Sequence, residues 1–140
     1  VKKQAQQLWT IQKYNVMAKG YAHYKEVQGL LREASAEEDF AAVIEKIQYF
    51  EQLKYEKKAV INTLEHIWGY FKKQAEVEEK EAFFAALEEY RKNGDDFSSK
   101  PPAAPVSALH KLLEKYPSSY LEKSAFLKEN LADDKLLCQP

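Results

Sequence analysis

Asn62, His66 and Tyr70 recur at intervals of four in the stretch NTLEHIWGYFKK. On a helix this spacing projects an amide, an imidazole and a phenol from one side. Two readings stand side by side. In one, the three form a polar line that contacts RNA or a small ligand, in the extreme a small catalytic or ligand-binding bundle. In the other, His66 is a buried, hydrogen-bonded histidine that locks its helix to the neighbours, with Gly69 permitting a close helix crossing. Around them, Lys13, Lys19, Lys25, Lys58, Lys72 and Lys73 are candidates for contact with phosphate, and Tyr14, Tyr24 and Tyr70 for stacking or hydrogen bonding. Lysines for the backbone and rings for unpaired bases are what single-stranded or looped RNA requires. Each has a structural alternative: a lysine stem laid along apolar surface, or a tyrosine in the core with its hydroxyl at the rim.

Other chemistry is poorly served. His23, His66 and His110 are far apart in the chain and no helix offers two strong ligands at i and i+4, so neither metal nor cofactor is expected. The single cysteine, Cys138, cannot form an intrachain disulfide, a cysteine-rich zinc site or an iron–sulfur cluster. Lying next to the chain end, it is a poor candidate nucleophile. Only two arginines, Arg32 and Arg91, are present. That argues for recognition of shape and backbone rather than of base edges. Arg91 is also placed to pair with Glu88 or to meet the last carbonyls of its own helix.

The formal net charge of −1 conceals a block structure. Residues 1–32 hold six basic and one acidic side chain, 33–53 one and six, 54–73 five and two, 74–100 four and eight, and the remainder five of each. The basic blocks carry the aromatics with polar or planar tips: Trp9, Tyr14, Tyr21, His23 and Tyr24 in the first, Tyr55, His66, Trp68 and Tyr70 in the second. Convergence of these blocks on one face would create a local positive field. Their structural alternative is an ordinary solvated helix face, with both tryptophans in the core.

The elements that must position these groups all read as helix. Leu8, Ile11 and Asn15, with Trp9 and Val16, mark a first helix ending near Gly20; Tyr24, Val27, Leu30 and Leu31 mark a second. Ser35 with Glu38 has the capping-box pattern at the start of a third, lined by Phe40, Val43, Ile44, Ile47, Phe50 and Leu53. A bend near Tyr55 to Lys58 separates it from a fourth through Val60, Leu64, Ile67 and Phe71, since an unbroken helix would be far longer than usual. A fifth runs from about Glu78 to Lys92 and stops at Asn93-Gly94, a pair suited to a left-handed cap. Residues 94–105 are the one clear loop, its prolines expected to run extended over the surface. Val106 to Tyr116 form a sixth helix, and a seventh, capped by Ser119 and Glu122, carries Leu121, Phe126 and Leu127. The expected fold is therefore all-α: a single compact bundle of about six to seven helices spanning 1–140, with no sheet and a mobile tail at 130–140. At 140 residues and 45% hydrophobic composition the chain can bury one core without staples. The absence of a long apolar run and of a signal-like start leads us to expect a soluble, cytoplasmic protein.

The order of these motifs resembles the YbgA family, a bacterial domain of unknown function found alone or fused behind an iron–sulfur desulfidase domain. The likeness runs from about Leu8 to Leu127 and is strongest in the Asn62–Lys73 stretch. It continues through Tyr90-Arg91, Pro105, Tyr120-Leu121 and Phe126-Leu127. Where the family has His-Lys-Tyr this chain has Gln12, Lys13 and Tyr14, and the family's Gly-Arg pair is replaced by Gln28 and Gly29. In fused members the desulfidase half resembles enzymes that remove sulfur from thiolated uracil or from 4-thiouridine in tRNA. The resemblance implies a non-catalytic accessory that binds RNA, with tRNA as the implied partner. A module docking on a separately encoded desulfidase or repair enzyme is the alternative.

Overall fold

The structure, a computed structural model, describes residues 1–128. The expected mobile tail at 130–140, and Cys138 within it, lie outside the described residues. Among the described residues seven helices, followed by a helical turn at 125–128, come in order: α1 (Lys2–Lys19), α2 (Tyr21–Glu33), α3 (Glu37–Glu51), α4 (Lys57–Trp68), α5 (Val77–Asn93), α6 (Ala103–Lys115) and α7 (Ser119–Glu122). The architecture is all-α, as the periodicity indicates, and the bend expected near Tyr55 separates α3 from α4.

α1 is the central element and packs against α2, α3 and α4, while α5 pairs with α6. Its C-terminal half is buried on every side, from Tyr14 to Lys19 without interruption. The two sides feed different clusters. Tyr14, Met17 and Ala18 join Leu64, Ile67, Phe71, Phe83, Leu87, Leu109 and Phe126 in the larger core, whereas Ala5 and Val16 join Val27, Phe40, Val43, Ile47 and Phe50 in the smaller. Each large side chain so buried contributes roughly 1.5–3 kcal/mol. The stripe read from the sequence is displaced here: Ile11 is exposed, because the partners of α1 gather round its C-terminal end. Trp68 is core, stacked on Phe83 with centroids 5.2 Å apart. Asn15, buried on α1, is satisfied by Gln12 at 2.9 Å and by the Tyr55 hydroxyl, which donates to its Oδ1.

Several local expectations are corrected. A two-residue ladder pairs β1 (Tyr55–Glu56) antiparallel with β2 (Phe97–Ser98), so the segment after α5 is fastened to the start of α4 while it runs over the surface, with Phe97 exposed. The Lys57 amide donates to the Asp96 carbonyl at 2.8 Å, and its ammonium reaches the Gly94 carbonyl at 3.2 Å. Pro101 and Pro105 are buried, and Pro105 sits in the first turn of α6, where a missing N–H costs nothing. Gly94 has an ordinary extended conformation, φ −74° and ψ 153°. It is glycine for space, since a Cβ there would lie 2.5 Å from the Tyr90 ring and 2.6 Å from the Tyr90 carbonyl oxygen. The start of α3 is shifted by one residue: Asp39, not Glu38, accepts the Ala36 and Ser35 amides at 2.9 and 3.0 Å. At α7 the capping side chain is Ser118, and the helix stops at Glu122, leaving Phe126 and Leu127 on a separate helical turn at 125–128.

Candidate functional site

The single-residue corner at Gly20 folds α2 back against α1, and α4 packs on the same central helix. A column of rings results. Trp9 of α1 stacks on Tyr24 of α2 (centroids 5.7 Å, planes 22° apart), and Tyr24 stacks on Tyr21 (5.6 Å, 26°). Gln28, one turn beyond Tyr24, donates to its hydroxyl at 3.2 Å and fixes the middle ring. Cations flank the column: Lys13 Nζ lies 5.9 Å from the centroid of Tyr24 and 5.6 Å from that of Tyr14, and Lys25 Nζ lies 5.9 Å from Tyr21. The spacings are helical, Trp9 and Lys13 at i, i+4 on α1 and Tyr21, Tyr24, Lys25 and Gln28 within two turns of α2.

Tyr21, the terminal ring, is also a wall of an open groove of about 570 Å³ that it shares with Glu56, Lys58, Ala59, Asn62 and His66. On α4 the last four residues fall at i, i+1, i+4 and i+8 from Lys58, a single edge of the helix. His66 and Lys58 are exposed and Asn62 is half-buried. The reading of His66 as a buried lock is therefore corrected, and so is the role of Gly69. Gly69 is exposed at the end of α4 and its nearest neighbour is a carbonyl of its own turn, the one on His66. Tyr70, 46% exposed, belongs to a second aromatic group beside the first: its hydroxyl lies 3.0 Å from that of Tyr14, and its ring stacks on Tyr120 at 6.1 Å.

Two of the sequence-derived contact residues are turned inward. Tyr14 is 4% exposed, and burial followed by its bond to Tyr70 holds its phenol well above the usual tyrosine range. Lys19 is 7% exposed; it donates to the Leu53 carbonyl at 2.5 Å and lies 3.7 Å over the Tyr55 ring. Neither offers a free surface group to phosphate. Lys72 and Lys73 are exposed on the turn after α4 and do not line the groove. The structure thus brings together Lys13, Tyr24, Lys25, Lys58, Asn62 and His66, and adds Trp9, Tyr21, Gln28 and Glu56 to them. Trp9 and Tyr21 stand out in the sequence as aromatics of the basic block, but which of those rings stack depends on the helix packing.

Chemically the face offers stacking rings, ammonium groups, one carboxylate, two carboxamides and one imidazole. Among the described residues no group of three or more His, Cys, Asp or Glu is placed to hold a metal ion. No described helix is long and apolar enough to cross a membrane. Arg91, distant in sequence from the groove residues, pairs with Glu88 at 3.2 Å and reaches Glu65 at 3.9 Å.

Comparison with curated proteins and with solved structures finds no match for the chain. Residues 13–130 match a family described as "Protein of unknown function (DUF1722)", a span that starts within α1 and takes in every later element. The chain therefore belongs to the DUF1722 family.

Proposed function

We propose that this protein is a non-catalytic RNA-binding accessory, directed to tRNA, and that α1, α2 and the exposed edge of α4 form its binding face. The observation that carries the reading is the Trp9–Tyr24–Tyr21 column, bordered by Lys13 and Lys25 and ending at the groove that holds Lys58. Rings of this kind stack on any base, and lysines beside them meet the backbone. The resemblance to YbgA proteins supports the same reading, because fused members join such a domain to a desulfidase resembling those that act on thiolated nucleotides. On that basis a cytoplasmic setting, and a separately encoded desulfidase or repair enzyme as protein partner, belong to the proposal. The +5 and +3 blocks contribute fewer surface cations than their arithmetic suggests, as Lys19 and Lys57 are engaged inside the fold.

Filter binding of bulk tRNA across a salt series tests the proposal. Affinity is expected at low salt, falling as salt rises with a log–log slope of roughly −2 to −3 if three lysines release counterions. Absence of binding at low salt would overturn it.

A further inference from the structure

We propose that the groove between Tyr21 and the Lys58–Asn62–His66 edge of α4 receives a single unpaired ribonucleotide, whose base extends the Trp9–Tyr24–Tyr21 column. This rests on the RNA-binding reading and names the unit bound. Within the column the middle ring, Tyr24, stacks with both Trp9 at 5.7 Å and Tyr21 at 5.6 Å. Tyr21 ends the series, remains 46% exposed, and forms part of the groove wall. A planar group entering the groove meets Tyr21, a ring that is itself stacked with Tyr24. The groove, of about 570 Å³, is open, so a group seated against Tyr21 keeps one side in solvent.

The polar groups match the other parts of a nucleotide. Lys58 supplies a cation for phosphate. The Asn62 carboxamide presents a donor beside an acceptor, the pattern that pairs with a base edge carrying the same two functions. His66, one turn further along, adds a second hydrogen-bonding group on the same edge. Glu56 accepts hydrogen bonds only, so it suits a ribose hydroxyl or an exocyclic amine and repels a second phosphate. This disfavours polyphosphates and the phosphate-dense surface of a duplex. Among the described residues, no hydrogen bond or ion pair ties up the side chains of Lys58, Asn62 or His66. The adjacent Lys57, by contrast, is committed to the Gly94 carbonyl and to Asp96. Two consecutive lysines thus divide into one that fastens the fold and one that faces the groove.

The test is fluorescence anisotropy with the full chain at low salt, using labelled hexaadenylate RNA, a blunt RNA duplex and bulk tRNA as probes. Hexaadenylate is expected to bind more tightly than the duplex. Tyr21→Ala, at an exposed position, and Asn62→Leu, at a half-buried one, are each expected to weaken hexaadenylate binding ~10-fold while circular dichroism melts stay at the wild-type midpoint. Lys72→Ala serves as the remote control. If both groove variants bind hexaadenylate as the wild type does while tRNA is still bound, the groove is not the site and the RNA-binding reading survives. Equal affinity for hexamer and duplex also overturns the inference. If the wild type binds none of the three probes, the RNA-binding reading falls with it.

Discussion

The hydroxyl oxygens of Tyr14 and Tyr70 lie 3.0 Å apart, joining a phenol buried in α1 to one exposed on the turn after α4. Tyr120 braces the pair, edge-on to Tyr14 at 6.3 Å and stacked on Tyr70 at 6.1 Å. The contact spans 56 positions of sequence and ties the central helix to the far end of α4. Tyr14→Phe removes the hydrogen bond but keeps the ring, so a loss of about 1 kcal/mol is expected in urea unfolding at pH 7. Alkaline pH provides a second reading. The native chain keeps the Tyr14 proton that the unfolded chain releases near pH 10, so unfolding sheds protons and wild-type stability falls as pH rises above that value. The gap between wild type and Tyr14→Phe should therefore narrow above about pH 10; a gap that widens there would contradict the assignment.

Lys19 and Lys13 stand on the same helix with opposite roles. Lys19→Ala removes a buried charged donor to the Leu53 carbonyl and the contact with the Tyr55 ring, at a cost of roughly 2–3 kcal/mol, with the salt slope of tRNA binding unchanged. Lys13→Ala should leave stability within about 0.5 kcal/mol and make the slope shallower by roughly 1. Paired chemical-unfolding and filter-binding series on the two variants separate these outcomes.

Asp39, at the start of α3, contributes to the loss of stability in acid. The Ala36 amide, and after it the Ser35 amide, hold its carboxylate below the ordinary range. A depressed carboxyl stabilises the native state above its unfolded value and loses that effect as pH falls through the native one. Asp39→Ala should melt at a lower temperature than wild type at pH 7, and the difference should close below about pH 4. Calorimetric scans from pH 7 to pH 3 would show it.

Gly94 and Gly29 give a steric contrast that the φ angles alone would not. A Cβ at Gly94 meets the Tyr90 carbonyl oxygen at 2.6 Å, so Gly94→Ala is expected to cost about 1–3 kcal/mol. Within α2, a Cβ at Gly29 meets only the Arg32 side chain at 3.8 Å, so Gly29→Ala should stabilise by roughly 0.5–1 kcal/mol. Urea midpoints at constant m-value would decide both.

How much of this was legible beforehand follows from the range of the interactions. The helices, the break at Gly20 and the separation of α3 from α4 are written in apolar spacing over one to four turns. The shared edge of Lys58, Asn62 and His66 is likewise a property of one helix. The starts of α3 and α7 were readable only to within a residue, because Glu38 and Asp39, or Ser118 and Ser119, offer neighbouring side chains of similar capping ability. The two-residue ladder between Tyr55–Glu56 and Phe97–Ser98 was not readable: it joins segments about forty residues apart, and two residues are too short for any alternation to register.

The local pattern of the chain determined an all-helical protein in which aromatics and lysines concentrate in the segments of α1, α2 and α4. Those are consequences of side-chain period and composition, which each segment carries by itself. Tertiary packing decided which of these groups are available. It turned Lys19 and Tyr14 into the interior and left Tyr21 exposed and Lys13 half-buried. It also committed Lys57 to a loop carbonyl while Lys58 faced the groove. A helix specifies that two side chains point different ways, but which of them meets water depends on the neighbour that packs there, and α1 acquires neighbours on three sides from parts of the chain its own sequence does not contain.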